Sequence, residues 1–566
     1  MNFFLIKKVR QKMKMTFAGI AALLTIGLAT SAHAQSKAPE NWFNLDPSEN
    51  SVNGVSTEKM YSQLLKGKQG RTVIVAVIDG GVDPEHEDLK DIMWTNPREI
   101  PNNGIDDDKN GYIDDIHGWN FLGGKDGRSV HHETLEKVRV YGANRAKFAN
   151  VDAAKISKAD KKAYEEFLKM KTEIEDELQE AKENLEQYEM TKTVIMNGLD
   201  AVEAALDGKA ITKANLDAID AKNNKMLAAG KGILMKRIAG NKDVENLKDI
   251  KQEFSEQLQE AIDYFGGKSK QYDPDFNPRA DIVKDNYADS YEKNYGNNDV
   301  KGPEAMHGTH VAGIIGGIRN NNKGMKGVAD NVRIMAIRCV PDGDERDKDV
   351  ANSIIYAVDN GAQVINMSFG KSFSWDKTAV DKAVKYAQSK DVLLVHAAGN
   401  DAKDNDDKAN NNFPKANFEK AGWFSPKKAK NWIEVGALSW KKDDDVVATF
   451  SNYGQGNVDL FAPGVDIYST TPGGKYKNLS GTSMASPVTA GVAAVIRSYY
   501  PDLTAEQVKE CLEKSVVKQN YKVKKPGSED KVPFSSLSRT GGVVNVFEAV
   551  KLAGQMKGKK KVARRA

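Results

Sequence analysis

The sequence predicts an α/β protein, a largely parallel sheet in a three-layer sandwich, interrupted by an all-helical inserted subdomain. Three observations predict it. Residues 73–78 form a continuous run of β-branched and apolar residues that ends in Asp79-Gly80-Gly81. That is the pattern of a strand buried on both faces, with a carboxylate at the C-terminal end where open parallel sheets place their sites. Further strand-like runs at 332–340, 362–367 and 392–395 alternate with helices rich in small residues, opened by His307 and by Gly481-Thr482-Ser483. Residues 125–300 then break the pattern, with Lys and Glu dominant and helical periodicity throughout.

At 566 residues the chain exceeds one ordinary domain. A net charge of only +3 argues against a general nucleic-acid binder. Two cysteines, Cys339 and Cys511, make no disulfide framework and read as buried free thiols. Residues 1–34 read as a secretory signal peptide: Lys7, Lys8, Arg10, Lys12 and Lys14, a short apolar core at 17–28, and Ala32-His33-Ala34 as the cleavage site. The mature chain then starts at Gln35 and is exported, to a periplasm or beyond the cell, with no stable membrane insertion. Residues 35–70 form a polar N-terminal extension with a helical patch at 57–65.

Ser483 precedes a run of small and apolar residues in which Pro487 lies early, so it belongs at or just before a helix N-terminus. There its own N–H is free and the helix dipole favours a developing oxyanion. A serine in that place needs a base. Asp79, His307 and Ser483 supply the three parts of a hydrolytic triad, in the order Asp, His, Ser. His310 lies three positions beyond His307, and His86 reads as a surface or turn residue.

Five stretches carry a family resemblance: Ala76-Val-Ile-Asp-Gly-Gly-Val-Asp83, His307-Gly-Thr-His-Val-Ala-Gly313, Val364-Ile-Asn-Met-Ser-Phe-Gly370, Ala397-Ala-Gly-Asn400 and Gly481-Thr-Ser-Met-Ala-Ser-Pro487. In this order they resemble the signature segments of subtilisin-like serine peptidases, the subtilases. The resemblance covers roughly residues 70–124 and 300–550 and implies a subtilisin-like fold. It implies Asp79, His307 and Ser483 as catalytic residues, Asn400 as oxyanion-hole donor, and Ser368, Phe369, Gly370, Ala397, Ala398 and Gly399 as substrate-binding segments. Among these, 368–370 pairs with extended substrate backbone. Little room exists for the large pro-domain many secreted members carry.

A second motif lies at 106–115. Asp106, Asp108, Asn110 and Asp114 stand at positions 1, 3, 5 and 9 of an EF-hand-type loop, with Gly111 at the turn and Tyr112 following it. Position 12 is His117 rather than Glu, and Asp115 is the candidate to replace it. Calcium, held structurally, is the cofactor expected, and no organic cofactor. Asp401, Asp404, Asp406 and Asp407 lie in a polar loop that reads as solvated, on the rim of the pocket for the residue before the cut.

The insertion, 125–300, separates Asp79 from His307. Phe167, Met170, Ile174, Leu178, Ala181, Leu185 and Tyr188 step by 3 or 4, a helical stripe. A second amphipathic run follows at 243–265. Glycines 198, 208, 230 and 240 suggest breaks between helices of a hairpin or small bundle. The catalytic domain comprises 71–124 and 301–555, and residues 556–566 form a basic tail.

The function expected is an exported serine endopeptidase acting on protein or peptide substrates through an acyl-enzyme, with no nucleic-acid partner. The alternative is a catalytically silent exported binding protein that uses the insertion to contact a substrate or partner protein. A lipase is disfavoured, because Gly481-Thr-Ser-Met-Ala485 lacks the Gly-x-Ser-x-Gly elbow.

Overall fold

The computed structural model describes residues 38–240, 244, 246–420 and 426–560. The signal-peptide segment and the end of the basic tail lie outside the described residues. The elements used below are, in chain order, β1 (Val73–Asp79), β2 (Gly118–Asn120), α1 (Glu136–Phe148), α2 (Lys161–Leu206), α3 (Lys225–Ala239), α4 (Leu247–Gln271), α5 (Ala305–Gly316), β3 (Val332–Arg338), α6 (Asp347–Asp359), β4 (Val364–Met367), α7 (Lys377–Ser389) and β5 (Leu393–Ala397). They continue with β6 (Trp432–Leu438), β7 (Leu460–Pro463), β8 (Ile467–Thr471), β9 (Lys475–Leu479), α8 (Thr482–Tyr499), α9 (Ala505–Lys514), β10 (Val517–Lys518), β11 (Gly542–Val543) and α10 (Val546–Gln555).

The central sheet has the order β10-β11-β7-β6-β5-β4-β1-β3-β2. Every pair in it is parallel except β10–β11. β1 pairs with β3 on one side and β4 on the other, so the strand order reverses at β1. That reversal opens a crevice beyond the C-terminal strand ends, and Asp79 is the last residue of β1. The two faces bury separate cores. Val73, Val75 and Val77 pack with α5, α8 and α10, whereas Ala76 and Ile78 pack with α6 and α7. This is the three-layer α/β/α sandwich of the sequence reading.

Residues 35–70 are more than a polar extension where they are described. Trp42, Phe43, Val55 and Met60 are buried in the core beside α10, and Asn545 donates to Ser56 Oγ at 2.8 Å. Isolated apolar residues in a polar stretch carry no periodic signal, although their burial stabilises the domain. Cys339 and Cys511 are both buried and free.

The chain divides into two compact units. One comprises residues 171–272; the other takes in 38–170 and 273–560, so α1 and the returning stretch 273–300 belong to the unit that holds the sheet. Within the smaller unit, Ile195, Leu199, Val202, Leu234, Ile250 and Phe254 form a core shared by α2, α3 and α4. Two of the expected glycine breaks are absent. Gly198 lies inside α2, a helix of 46 residues, and Gly230 lies inside α3. A Cβ on Gly198 would stand 2.9 Å from Gly230 N, and one on Gly230 would stand 2.0 Å from Gly198 O. These glycines allow two helices to cross in backbone contact. A helical glycine costs about 1 kcal/mol against alanine, so such contact is a physical reason for it. Among the described residues no helix is long and apolar enough to cross a membrane.

Candidate active site

Asp79 is buried at the end of β1, and its Oδ1 accepts hydrogen bonds from Gly80 N and His307 Nδ1, both at 2.8 Å. Its Oδ2 is buried with no hydrogen-bond partner among the described residues. His307 stands in the first turn of α5. The close approach depends on the next residue. A Cβ on Gly308 would stand 2.2 Å from Gly81 O and 3.0 Å from the Asp79 Cβ, so only glycine lets α5 abut the end of β1. Thr309 Oγ1 accepts from Asp83 N at 2.8 Å and fixes the same junction. Burial opposes a charge on His307, but the Asp79 carboxylate, by its charge and hydrogen bond, outweighs this and raises the imidazole above its ordinary value.

The other two histidines of these stretches are structural. His310 Nε2 lies 3.0 Å from the carbonyls of Ile467 and Lys477, tying α5 to the β8–β9 hairpin. Burial pushes its pKa down to about 4, so the ring stays neutral. His86, expected at the surface, is buried: Nε2 meets Lys475 O at 3.1 Å and Nδ1 accepts from Asp88 N at 3.1 Å. Two satisfied ring nitrogens make that burial tolerable.

Ser483 is the second residue of α8, whose N-cap is Gly481. Its N–H, in the first turn, has no intrahelical acceptor. Its hydroxyl donates to Ser368 O at 3.1 Å, and Ser368 Oγ donates to Ser483 O at 2.9 Å. Ser483 and His307 are not joined by a hydrogen bond in this structure. A change of χ1 well redirects Oγ, and free enzymes commonly show loose nucleophile–base contacts.

Asn400 follows β5, and its Oδ1 accepts from both Thr482 N at 2.8 Å and Thr482 Oγ1 at 2.9 Å. Thr482 Oγ1 in turn accepts from Gly399 N at 3.1 Å. With Oδ1 engaged, the amide presents Nδ2 outward. The point where a Cβ on Gly481 would stand is 3.5 Å from Asn400 Nδ2 and 3.6 Å from Ser483 N. Both nitrogens therefore lie beside Gly481. Thr482 was missed in the sequence; as a hydroxyl beside the serine it carries no signal until its partners are known.

The segments 368–370 and 397–399 lie at the ends of adjacent strands β4 and β5. Asn412 bridges them. Its Nδ2 donates to Ala397 O at 2.9 Å, and its Oδ1 would stand 2.1 Å from a Cβ on Gly370. Behind it, Asn405, Asn410, Asn417, Lys415 and Glu434 line a small polar cavity. Two acids of this loop cap turns, Asp404 accepting from Asp406 N and Asp407 from Ala409 N, while Asp406 accepts from the distant Gly456 N. Asp401 pairs with Lys403.

In the acidic loop, carboxylate oxygens of Glu99, Asp106 and Asp108 lie within 4.8 Å of one another. Asp106 accepts from Asn110 N and Gly111 N, and Asn110 Oδ1 from Tyr112 N. Arg98 pairs with Asp108 at 2.9 Å. Asp114 is outside the converging set, its oxygens accepting from Asn103 N and Gly104 N. Asp115 does not stand in for the missing Glu. It is buried on the Tyr356 hydroxyl, Asn96 and Asn110, and burial pushes its pKa up to about 6. Glu99, seven residues before the motif, is the carboxylate that joins Asp106 and Asp108, and it accepts from Asp108 N and Asp114 N; no loop spacing reveals it.

The profile of the Subtilase family matches residues 70–535. The chain is 43% identical over 193 residues to the thermophilic serine proteinase of Bacillus sp. (strain AK1), covering 34% of this chain and 42% of that protein. It is 38% identical to subtilisin DY of Bacillus licheniformis, over 36% of this chain and 67% of that one. Thermitase of Thermoactinomyces vulgaris is 35% identical over 43% of this chain and 74% of its own. The alignment with the first of these spans less than half of that relative's length. With the sheet, the Asp79–His307 pair and the motifs in order, the chain belongs to the subtilase family.

Proposed function

We propose that the protein is an exported endopeptidase that hydrolyses peptide bonds through an acyl-enzyme on Ser483. The observation that carries this reading is the hydrogen bond from His307 Nδ1 to Asp79 Oδ1 at the C-terminal end of β1, with Ser483 in the first turn of α8 and Asn400 held on its neighbour Thr482. An extended peptide pairs with 368–370 by main-chain hydrogen bonds, and the segment 397–399 forms the facing wall. His307 takes the Ser483 proton as the hydroxyl attacks the carbonyl carbon. Asp79 holds the proton of the imidazole on Nδ1 and stabilises the imidazolium. The oxyanion binds between Asn400 Nδ2 and Ser483 N. His307 then protonates the leaving amine, and water repeats the sequence to release the acid. Export rests on residues 1–34, with their basic start, short apolar core and Ala-x-Ala site.

A fluorophosphonate probe tests the reading. One adduct, on Ser483, is expected; a folded protein that takes no label would be the silent binder instead. Asn400→Ala should lower kcat by about 100–1,000-fold, a magnitude taken from the corresponding donor of subtilisin itself. Its KM should change little, because the amide acts on charge that develops in the transition state. Steady-state kinetics on a peptide amide check this.

Calcium is the cation that the three converging carboxylates suit, since oxygen donors at a tight turn are its preferred ligands and a dication relieves their mutual repulsion. Its part would be to secure the loop between β1 and β2. Chelation should therefore lower the melting temperature and hasten autolysis without altering the fluorophosphonate labelling rate of molecules still folded. Glu99→Gln should weaken that chelator response, measured by calorimetry with and without added calcium.

A further inference from the structure

Lys371 directly follows the 368–370 segment, yet its side chain is only 1% exposed. It is held from three directions: Glu136 Oε2 at 2.5 Å, Glu345 O at 2.6 Å and Asp347 Oδ1 at 2.8 Å. Its backbone is fixed as well, since Lys371 N donates to Phe413 O at 3.0 Å and Phe413 N to Lys371 O at 2.8 Å. Phe413 is the neighbour of Asn412, which touches Ala397 O. One residue therefore ties together the segment after β4, the wall after β5 and the loop after β3.

The partner that completes this anchor comes from the excursion between Asp79 and His307. Glu136 is the first residue of α1, fully buried, with Arg139 on both carboxylate oxygens at 3.0 and 3.1 Å. Its N–H donates to Asp344 Oδ2 at 2.8 Å. The returning stretch reaches the same carboxylate, because Tyr287 Oη donates to Glu136 Oε1 at 3.2 Å. Arg346 lies over the Tyr287 ring at 3.9 Å. Burial works against a charge on Glu136, but Lys371 and Arg139 outweigh it and hold the carboxyl down at about 2. Buried charges paired on this scale are worse for stability than well-packed apolar residues, so a role in fixing geometry is the reason to look for.

We propose that Lys371 and Glu136 are positioning residues for substrate: the buried pair sets the register of the 368–370 backbone, and through it both roots of the excursion brace the binding edge. The proposal rests on the reading of 368–370 as the edge that pairs with substrate. An edge that binds by main-chain hydrogen bonds must hold its donors and acceptors in place, and a misplacement of about 1 Å costs on the order of 100-fold.

The test compares wild type, Lys371→Met and Glu136→Gln in the full chain after removal of residues 1–34. Three readouts are taken: the rate of fluorophosphonate labelling, kcat/KM on a single-residue ester, and kcat/KM on a long peptide. Labelling and the ester use the triad and oxyanion donors but little of the edge. The expected result is a loss of about 10–100-fold on the long peptide, mostly in KM, with labelling and ester turnover within about threefold of wild type. Equal losses on all three readouts overturn the proposal, because the network would then merely hold the fold. No loss on the long peptide overturns it too. Glu136→Gln keeps the side-chain volume but removes the charge that faces Lys371 and turns an NH₂ group onto an Arg139 donor, so it carries the test if Lys371→Met does not fold. A wild-type protein that takes no label and cuts nothing would instead refute the peptidase reading, and that control stands apart from the variants.

Discussion

Ser483→Ala should lower peptide hydrolysis by about a millionfold in kcat, a magnitude known from removal of the nucleophile in subtilisin itself. The fold should survive. The hydroxyl makes one hydrogen bond, to Ser368 O, and loss of a single such bond costs about 1 kcal/mol. The reciprocal bond, from Ser368 Oγ to the Ser483 carbonyl, does not involve the side chain and remains. Asn400 and the N–H of residue 483 also stay in place, so substrate still binds and some acceleration over water persists. The measurement is digestion of denatured casein by the chain beginning at Gln35, with the cuts mapped by mass spectrometry beside a thermal melt of each protein. Cuts that vanish in the variant at an unchanged melting temperature support Ser483 as nucleophile. Cuts that persist at the same positions would show that another residue attacks.

Asp79→Asn should cost about 10,000-fold, and for two separable reasons. Asp79 Oδ1 accepts from both Gly80 N and His307 Nδ1, whereas Oδ2 is buried with no partner among the described residues. An asparagine that keeps its oxygen on these two donors buries its NH₂ in the Oδ2 position with no acceptor, a cost of about 1–3 kcal/mol. An asparagine turned the other way presents NH₂ to Nδ1 and forces the imidazole proton onto Nε2, where the base must be free. The charge matters as well. Because the carboxylate raises the pKa of His307, the neutral base of the wild type is lost on acidification at a pH above that of an ordinary imidazole, near 6.5. Without the charge, the acid limb of the residual kcat/KM profile should move to lower pH. An acid limb that stays where it was would mean that Asp79 does not act through His307.

The sheet, its parallel sense and the place of Asp79 were legible because a strand buried on both faces must be apolar along its whole length. The three catalytic candidates were legible because short motifs join each to its helix or strand end. Periodicity revealed the helices of the excursion but misread two glycines, because absence of a side chain serves close packing as well as it serves a break. Gly198 and Gly230 lie in helical backbone against each other, whereas Gly208 has a φ of +77° and nothing within 4 Å of where its Cβ would stand. The convergence of carboxylates in the acidic loop was half legible. Local spacing located Asp106 and Asp108, but Asp115 turned inward to Tyr356 and Glu99 came in from outside the motif.

What the sequence by itself determined is the family and the layered α/β scaffold, and it named Asp79, His307, Asn400 and Ser483 as candidates, all of which depend on local backbone and residue type. What only the tertiary structure decided depends on groups far apart in the chain meeting in a buried place. Thr482 orients the Asn400 amide from 82 positions away, and Glu136 meets Lys371 across 235. Such partners leave no periodic trace, because a buried hydrogen bond or ion pair is specified by where two elements cross rather than by the residues beside it.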